Sequence, residues 1–265
     1  MNKIQIECFT PDEDVKMAEM FMCTAAKLTQ NGEKWTPEEF KVDFCQPVRK
    51  KMVANLSKLP HPTLQKFGII TFVIFGASRR FLAQITRHQV DVHFMSASLQ
   101  YSDYSDNAEF CVPYGLLDKP EFRDVYIKNC KNQMSVYETL VNDCGIDHDE
   151  AGYLAPQGLR NILIMSASIF EWKHIISQRV CRRNTLETRY VMLRIWEYLY
   201  DRFPELFAPE TTGPFCEQGH CLEGRMSCGM PLFEQTPSEI IADDFPLLKD
   251  APKCTFFADN SVTSV

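Results

Sequence analysis

The chain has 265 residues, of which 45% are hydrophobic and 24% charged, and its formal net charge is −7. These values are typical of a soluble globular protein with a sizeable core, and they argue against a basic surface for nucleic acid. No apolar run reaches the roughly 18 residues that a membrane-spanning helix needs. The first residues lack the apolar core of a signal peptide, so we expect a cytoplasmic protein that binds neither nucleic acid nor membrane.

In chain order, the sequence predicts long helices and few strands, which is an α+β pattern. Residues 4–9 alternate apolar and polar side chains, and Thr10-Pro11 then forms a typical helix start. Residues 67–75 are an apolar, β-branched and aromatic run with the length of a buried strand, ended by Gly76. A short third strand is predicted over residues 109–112. The predicted helices cover residues 12–28, 36–56, 77–86, 119–142, 150–156, 157–165, 166–178 and 185–203.

The chain lacks the alternating βαβ rhythm and the G-x-G-x-x-G turn of a dinucleotide-binding Rossmann unit. A flavin or nicotinamide site would therefore need a different architecture. The composition changes after Phe207, where Pro, Gly and Cys become frequent. We expect one catalytic domain over residues 1–210 and a C-terminal tail over residues 211–265.

Eleven cysteines, an odd number, are spread along the chain. Because disulfide frameworks are typical of small secreted chains with paired cysteines, we expect reduced and mostly buried thiols. In the tail, Cys216, Cys221 and Cys228 with the nearby His220 could bind zinc, but their spacing is not a standard one. The alternative is a tail that packs on a neighbour, and we expect no metal site.

Polar groups lie before and after the predicted strand 67–75. Gln84, Arg87 and His88 are spaced to share one helix face, where they could bind a polar planar ligand or form a solvated helix end. The segment Leu59-Pro60-His61-Pro62 breaks the preceding helix. His61 and Thr63 could contact a ligand there or cap a turn.

A second basic group follows the predicted helix 166–178. Arg179, Arg182 and Arg183 share a face by the same spacing, and like charges so close repel each other unless an anion or a carboxylate neutralises them. They could hold a polyanion such as a dinucleotide pyrophosphate. The alternative is a surface ion-pair face in which Glu187 pairs with Arg183.

These motifs, in this order, resemble the flavin-dependent thymidylate synthases. The signature of that family is Arg-His-Arg, seven residues, Ser, and then Arg-Tyr two and three places later. This chain has Arg87-His88-Gln89, Ser98 after eight residues, and Gln100-Tyr101. Further matches, in family order, are His61, Thr63, Thr71, Phe72, Ile74, Ser78, Arg79, Gln84, Gln178, Arg179 and residues 185–189. The resemblance spans about residues 3–210.

The resemblance implies a central, mostly antiparallel sheet flanked by long helices, in a homotetramer that holds FAD at subunit junctions. It implies reductive C5 methylation of deoxyuridylate (dUMP) to thymidylate (dTMP), with methylenetetrahydrofolate as carbon donor and NADPH as reductant. It assigns FAD binding to His61, Thr63, Arg87, His88, Gln89, His174 and Arg183. It assigns nucleotide binding to Gln84, Ser98, the backbone of Leu99, Gln100 and Arg179. Arg179 and Ser98 are the expected catalytic residues, with Arg179 orienting the uracil ring and favouring its anionic character.

The chain departs from the family pattern at the end that binds phosphate. Gln89 and Gln100 replace signature arginines, and Gly152 stands where a second phosphate arginine is expected. Ser168 and Phe170 replace the Asn and Arg that usually open the downstream helix. Charge-assisted hydrogen bonds contribute about 1.5–3 kcal/mol each, so the loss of two is substantial.

Three interpretations of these departures stay open. Another cation could bind the phosphate, and the candidates are Arg80, Arg160 and Arg182. The acceptor could be another pyrimidine nucleotide or the transferred group a hydroxymethyl. The protein could also be a non-catalytic oligomeric binding protein.

Overall fold

The computed structural model describes residues 1–31, 35–59, 61–105, 108–219 and 221–259. Pro60, His220 and residues 260–265, on which parts of the predictions fall, lie outside the described residues. The described residues form a five-stranded sheet in the order β3-β4-β2-β1-β5. The strands are β1 Gln5–Cys8, β2 Ile69–Ser78, β3 Val92–Ser96, β4 Arg160–Ser168 and β5 Thr255–Phe256. All pairs are antiparallel except β1 with β5.

The helices flank this sheet and leave one of its faces exposed, and the expected α+β architecture of a mostly antiparallel sheet with long helices is confirmed. In chain order they are α1 Asp12–Asn31, α2 Pro37–Phe44, α3 Lys50–Lys58, α4 Arg79–Ile85, α5 Pro120–Glu138, α6 His148–Ala151, α7 Ile169–Arg179, α8 Leu186–Arg202, α9 Pro204–Phe207, α10 Pro209–Thr212 and α11 Pro237–Asp244. Short 3₁₀ turns connect several of them, including Pro62–Lys66 before β2. None of the described helices combines the length and the apolar character that crossing a bilayer requires.

Serine N-caps determine where the helices that follow β2 and β4 begin. Ser78 Oγ accepts the amide of Phe81 (3.1 Å), and Ser168 Oγ accepts the amide of Glu171 (3.2 Å). Each cap directly follows a strand, and because β2 and β4 are antiparallel, α4 and α7 start at opposite ends of the sheet. This pair of strand-to-helix turns positions the candidate site described below.

The sheet has one face in the core and one largely apolar face in solvent. Phe72 and Met165 point inward and are fully buried. On the other face Met95 pairs with Ile164 across β3 and β4, and these side chains are 70% and 43% exposed. A solvated sheet face normally carries polar side chains, so this face is unusual for an isolated chain.

Three local predictions were wrong, and one strand was missed. The predicted helix 157–165 contains most of β4. Side chains on both faces of this strand are apolar, so the sequence lacks the apolar–polar alternation by which a half-buried strand is recognised. Strand β3 was not predicted. The predicted helix 36–56 is two helices, α2 and α3, and the predicted strand 109–112 is a single bridge from Phe110 to Leu159.

Gly76 does not end β2 but forms a bulge within it. Its φ is +77°, and the register of β2 against β4 shifts between Phe75 and Ala77. A Cβ there would lie 1.9 Å from a terminal nitrogen of Arg160, whose Nε donates to the Gly76 carbonyl oxygen (3.2 Å). Only glycine fits both this backbone conformation and this close approach.

The sequence favoured a tail that packs on a neighbour. In the structure, the described part of the tail packs on the core of its own chain. Ile240, Ile241, Phe245 and Leu248 are buried in the same hydrophobic core as α8. A domain boundary near residue 210 stays a prediction.

All eleven cysteines are free thiols, but the expectation that most are buried was wrong. Only five are buried. They are Cys8, Cys23, Cys111, Cys130 and Cys254.

Candidate functional site

The first component of the candidate site is a buried histidine just after α4. The helix ends at Ile85, whose carbonyl oxygen accepts the amide of His88 (3.3 Å). This turn places His88 against α7 with 7% of its surface exposed, while Arg87 beside it is exposed. Arg87 and His88 therefore lie beyond the end of α4, and the helix face that they were predicted to share with Gln84 does not form.

Arg179, the last residue of α7, joins these elements. Its Nε donates to His88 Nε2 (2.8 Å), its Nη2 to the carbonyl oxygen of Gln84 (2.9 Å), and its Nη1 to Asn184 Oδ1 (3.3 Å). A guanidinium has five N–H donors, so one on each Nη is left to face a ligand. Burial, followed by the neighbouring Arg87, lowers the pKa of Arg179.

The bond from Arg179 determines the state of His88. Because Nε2 accepts this bond, the neutral ring carries its proton on Nδ1, which lies 3.8 Å from Glu171 Oε1. Burial, then the charge of Arg179, then His174, lower the pKa of His88 to about 4. His88 is thus a neutral, oriented imidazole at physiological pH.

Glu171 is a site residue that sequence reasoning missed. Its spacing after Ser168 is that of a capping box, which predicts a purely structural role. In the structure its amide uses the Ser168 cap while its carboxyl faces His88. Burial, then Asp91, raise the pKa of Glu171 to about 7, against the opposing effect of Lys66.

His174 lies one helical turn after Glu171 and completes this side of the site. Its ring packs edge-on against His88 with 6.0 Å between centroids, and its Nε2 is 3.0 Å from Gln178 Nε2. His88, Glu171 and His174 bring three ligand-type atoms within 4.8 Å of one another. Because the guanidinium of Arg179 contacts the same cluster, the cluster suits an anion better than a metal ion.

The 3₁₀ turn after His61 is fixed on α7 by a buried lysine. Lys173 Nζ donates to the carbonyl oxygen and Oγ of Ser57 (2.9 and 2.7 Å) and to Gln65 Oε1 (3.0 Å). Burial lowers the pKa of Lys173 to about 7. His61 and Thr63 are exposed on this turn.

The structure does not bring the predicted residues 98–100 to Arg179 within one chain. Ala97 pairs with the start of β4, since its amide donates to Ile162 O (3.2 Å) and its carbonyl oxygen accepts Asn161 Nδ2 (3.0 Å). His88 lies at the opposite end of the β3–β4 pair. The five residues of β3 span about 17 Å, which separates Ser98 from the Arg179 cluster.

Ser98 and its neighbours form a compact second group at that end. Ser98 Oγ accepts the amide of Gln100 (3.0 Å), and Gln100 is exposed. Leu99 packs on Gly152, where a Cβ would lie 3.3 Å from the Cβ of Leu99. A larger side chain at position 152, arginine included, would have to displace Leu99.

The predicted face of three arginines was wrong, because α7 ends at Arg179. Arg182 instead binds Asp244 through Nε and Nη2 (3.1 and 2.9 Å). Arg183 is exposed, as is Gln89. The predicted pairing of Arg183 with Glu187 is also absent, since Glu187 accepts the amide and hydroxyl of Ser78 (2.7 and 2.5 Å).

The arrangement is suited to bind an anionic, planar, heterocyclic ligand. Arg179 presents a fixed guanidinium edge, two imidazoles lie beside it, and exposed Arg87 and Arg183 add positive charge. The nearest carboxyl, Glu171, is only partly ionised near neutral pH because burial raises its pKa to about 7.

Comparison with known proteins gives a consistent set of relatives. Residues 10–205 match the family described as thymidylate synthase complementing protein. The flavin-dependent thymidylate synthase of Pyrococcus furiosus is 26% identical over 204 residues, covering 75% of this chain and 82% of the relative. That of Thermococcus onnurineus is 24% identical over 215 residues, covering 77% and 84%. The crystal structure of thymidylate synthase X from Helicobacter pylori with FAD and dUMP superposes with a TM-score of 0.57 at 15% identity, covering 78% and 99%.

Proposed function

Because the chain belongs to the thymidylate synthase complementing protein family, we propose that it is a flavin-dependent thymidylate synthase. It methylates C5 of dUMP to give dTMP, taking the carbon from methylenetetrahydrofolate and the reducing equivalents from NADPH. The observation that carries this proposal is the convergence of Arg179, His88 and Gln84 in a chain with this family assignment. As an enzyme of nucleotide biosynthesis, it acts in the cytoplasm.

The donor set fits FAD. Arg87 and Arg183 are exposed guanidiniums that suit a pyrophosphate, and His88, His174 and the Arg179 edge suit the polar edge of a ring. His61, Thr63 and Gln89 are exposed polar groups available to the same cofactor. The flavin, when bound, supplies the redox chemistry, and the protein supplies geometry and charge.

Arg179 is the residue that prepares the pyrimidine. Its two remaining N–H groups form a fork that binds a carbonyl oxygen and the adjacent ring nitrogen, so that negative charge on the ring is stabilised. His88, the Gln84 carbonyl oxygen and Asn184 hold this fork in place. Ser98 and the Leu99 backbone contact the nucleotide from the other side.

This arrangement requires two chains. Within one chain the length of β3, about 17 Å, separates Ser98 from the Arg179 cluster, so a site that uses both takes them from different subunits. The exposed apolar sheet face at Met95, Ile162 and Ile164 supports association of this kind. A homotetramer with FAD at its subunit junctions meets both requirements.

The nucleotide end keeps one alternative open. Arg160 is engaged by Glu109 and by the carbonyl oxygen of Lys3 (2.8 Å), and Arg182 by Asp244, so neither is available for a phosphate. Arg80 is exposed and is the remaining one of the three candidates. The packing of Leu99 on Gly152 favours, as second candidate, a different pyrimidine nucleotide or hydroxymethylation at C5.

A tritium-release assay with product mass tests the proposal. Purified protein should be yellow and, with methylenetetrahydrofolate and NADPH, should release tritium from C5 of labelled dUMP and form dTMP. Release from another pyrimidine nucleotide, or a product with the mass of a hydroxymethyl derivative, would select the second candidate. Protein that stays colourless after incubation with FAD would refute both.

A further inference from the structure

The C-terminal tail forms one wall of a cavity that borders Arg179. The cavity measures about 330 Å³ and lies between residues 177–184, at the end of α7, and the tail segment 214–232. Arg179 and Arg183, which the proposed function assigns to the pyrimidine and to FAD, line it from the side of α7. The tail wall lies outside residues 10–205, on which the family assignment rests, so the family gives it no role.

We propose that this cavity binds the ring end of the one-carbon donor, a reduced folate, on the tail side of Arg179. The inference rests on the proposed function, which requires a folate but gives it no position. The donor has to deliver its carbon where the pyrimidine and the flavin meet, and both are assigned to Arg179 and its neighbours. A cavity that shares Arg179 with them is therefore placed to bring the donor into reach.

The tail supplies the apolar surface that an aromatic ligand needs. Leu222 and Met230 line the cavity although 64% and 60% of their surface is exposed, and Leu232 lies buried behind them. Small-molecule sites are lined mainly by such side chains and have volumes of about 300–1,000 Å³. At about 330 Å³ this cavity takes the pteridine and part of the aminobenzoyl group, and leaves the glutamate in solvent.

Side-chain amides on the opposite wall suit the polar edge of a pteridine. Gln178 and Asn184 both line the cavity, and an amide offers donors as well as an acceptor. Asn184 Oδ1 accepts from Arg179 Nη1 (3.3 Å), while its Nδ2 donates to the carbonyl oxygen of Gln178 (2.6 Å). The amide that would hold the donor is thus fixed relative to the guanidinium that holds the pyrimidine.

The charges that line the cavity favour an uncharged ring over a phosphate. Arg182 is neutralised by Asp244 (3.1 and 2.9 Å), and Arg183 is assigned to the FAD pyrophosphate. Glu223 adds an exposed carboxylate. A folate carries its charge on the glutamate, beyond the aminobenzoyl ring, whereas NADPH carries a pyrophosphate one ribose away from the nicotinamide. The folate therefore meets less electrostatic repulsion here than NADPH.

Hydrogen bonds fix the tail wall on the end of α7. Gln218 Nε2 donates to Ser177 Oγ (2.9 Å) and to the carbonyl oxygen of Gly213 (2.6 Å). Arg182 Nη1 donates to the carbonyl oxygen of Met230 (2.7 Å). The cavity is therefore preformed, and a ligand binds without first ordering the tail.

Carboxylates placed on the tail wall test the site by kinetics. Leu222→Asp and Met230→Asp change exposed side chains, so the buried core stays intact. Each should raise KM for methylenetetrahydrofolate at least about 10-fold, with KM for dUMP and flavin content within about twofold of wild type. The matched controls are Met226→Asp and Phe233→Asp, which are 58% and 62% exposed outside the cavity and should leave all three values unchanged.

Alkylation of the wild-type holoenzyme tests binding without variants and without turnover. Cys221 and Cys228 line the cavity as free thiols, whereas Cys45 and Cys144 are exposed elsewhere. Saturating tetrahydrofolate should slow iodoacetamide labelling of Cys221 and Cys228 at least about fivefold and leave Cys45 and Cys144 unchanged, because thiol reactivity follows access. Mass spectrometry of the labelled peptides measures the four rates.

These experiments separate the folate site from the proposed function. Protection by NADPH in place of tetrahydrofolate, protection by neither, or an unchanged KM for methylenetetrahydrofolate in Leu222→Asp and Met230→Asp would overturn the proposal. Protection by tetrahydrofolate of a wild type that releases no tritium from dUMP would support the folate site and refute the proposed function.

Discussion

Replacement of Glu171 by glutamine should unmask a pH dependence of stability that His88 and Glu171 cancel in the wild type. Both are buried and face each other at 3.8 Å. Folding lowers the pKa of His88 from 6.5 to about 4, so stability falls as pH drops through this window. Folding raises the pKa of Glu171 from 4.5 to about 7, so stability falls as pH rises through nearly the same window.

The two effects are similar in size and opposite in sign. Integrated between pH 4.5 and pH 7, each changes the free energy of unfolding by about 2.5 kcal/mol. In Glu171→Gln the contribution of the carboxyl is gone. The variant should therefore gain about 2.5 kcal/mol relative to wild type as pH rises from 4.5 to 7.

Urea denaturation at fixed protein concentration and several pH values measures this difference. Subtracting the wild-type curve from the variant curve removes the contributions of all other groups. Glu138→Gln, an exposed carboxyl at the end of α5, is the control and should give a flat difference. A flat difference for Glu171→Gln as well would refute the raised pKa of the buried Glu171 carboxyl.

Three further predictions concern the cluster around α7. Arg179→Ala should lower kcat/KM for dUMP at least about 100-fold in the tritium-release assay while the tetramer persists, because the substitution removes a charge-assisted contact with the ligand. Activity above a tenth of wild type would contradict this role. Arg87→Ala should lower the flavin retained on gel filtration, whereas Arg123→Ala, at a half-buried position of α5, should not; equal retention in both would exclude Arg87 from the cofactor site. A folded-state pKa of about 7 for Lys173 predicts that the free energy of unfolding rises between pH 7 and pH 10, and Lys173→Met should remove this rise. Denaturation curves with the same pH dependence as wild type would show that Lys173 is not a buried amine of lowered pKa.

The sequence was sufficient to predict the fold class, and its motifs indicated the residues from which we propose that the site is built. Colinear motifs indicated Arg87, His88, Arg179 and Ser98, although no single motif matched the family signature fully. Helical periodicity correctly predicted the long helices. Strand β4 was read as helix because its outward residues are apolar as well, and that outward face is where we propose that another chain packs.

Sequence alone could not predict partnerships between distant segments. Lys173 is hydrogen-bonded to Ser57, 116 residues away, and a lysine between Trp172 and His174 gives no local sign of burial. The carboxyl of Glu171 faces His88 because the segment that follows α4 returns to the end of the sheet where α7 begins, where the Ser168 amide donates to the carbonyl oxygen of Asp91 (3.3 Å). Cys181 was not grouped with the tail cysteines, since only the fold brings the end of α7 to the segment 214–232.

Co-expression of two inactive variants tests the central claim most directly, namely that the Arg179 cluster of one chain meets Ser98 of another. Arg179→Ala and Ser98→Ala should each be nearly inactive alone. In mixed tetramers, random assembly pairs an intact Arg179 with an intact Ser98 in about a quarter of the sites, so about a quarter of wild-type tritium release should return. Mixed tetramers no more active than the separate variants would contradict the account.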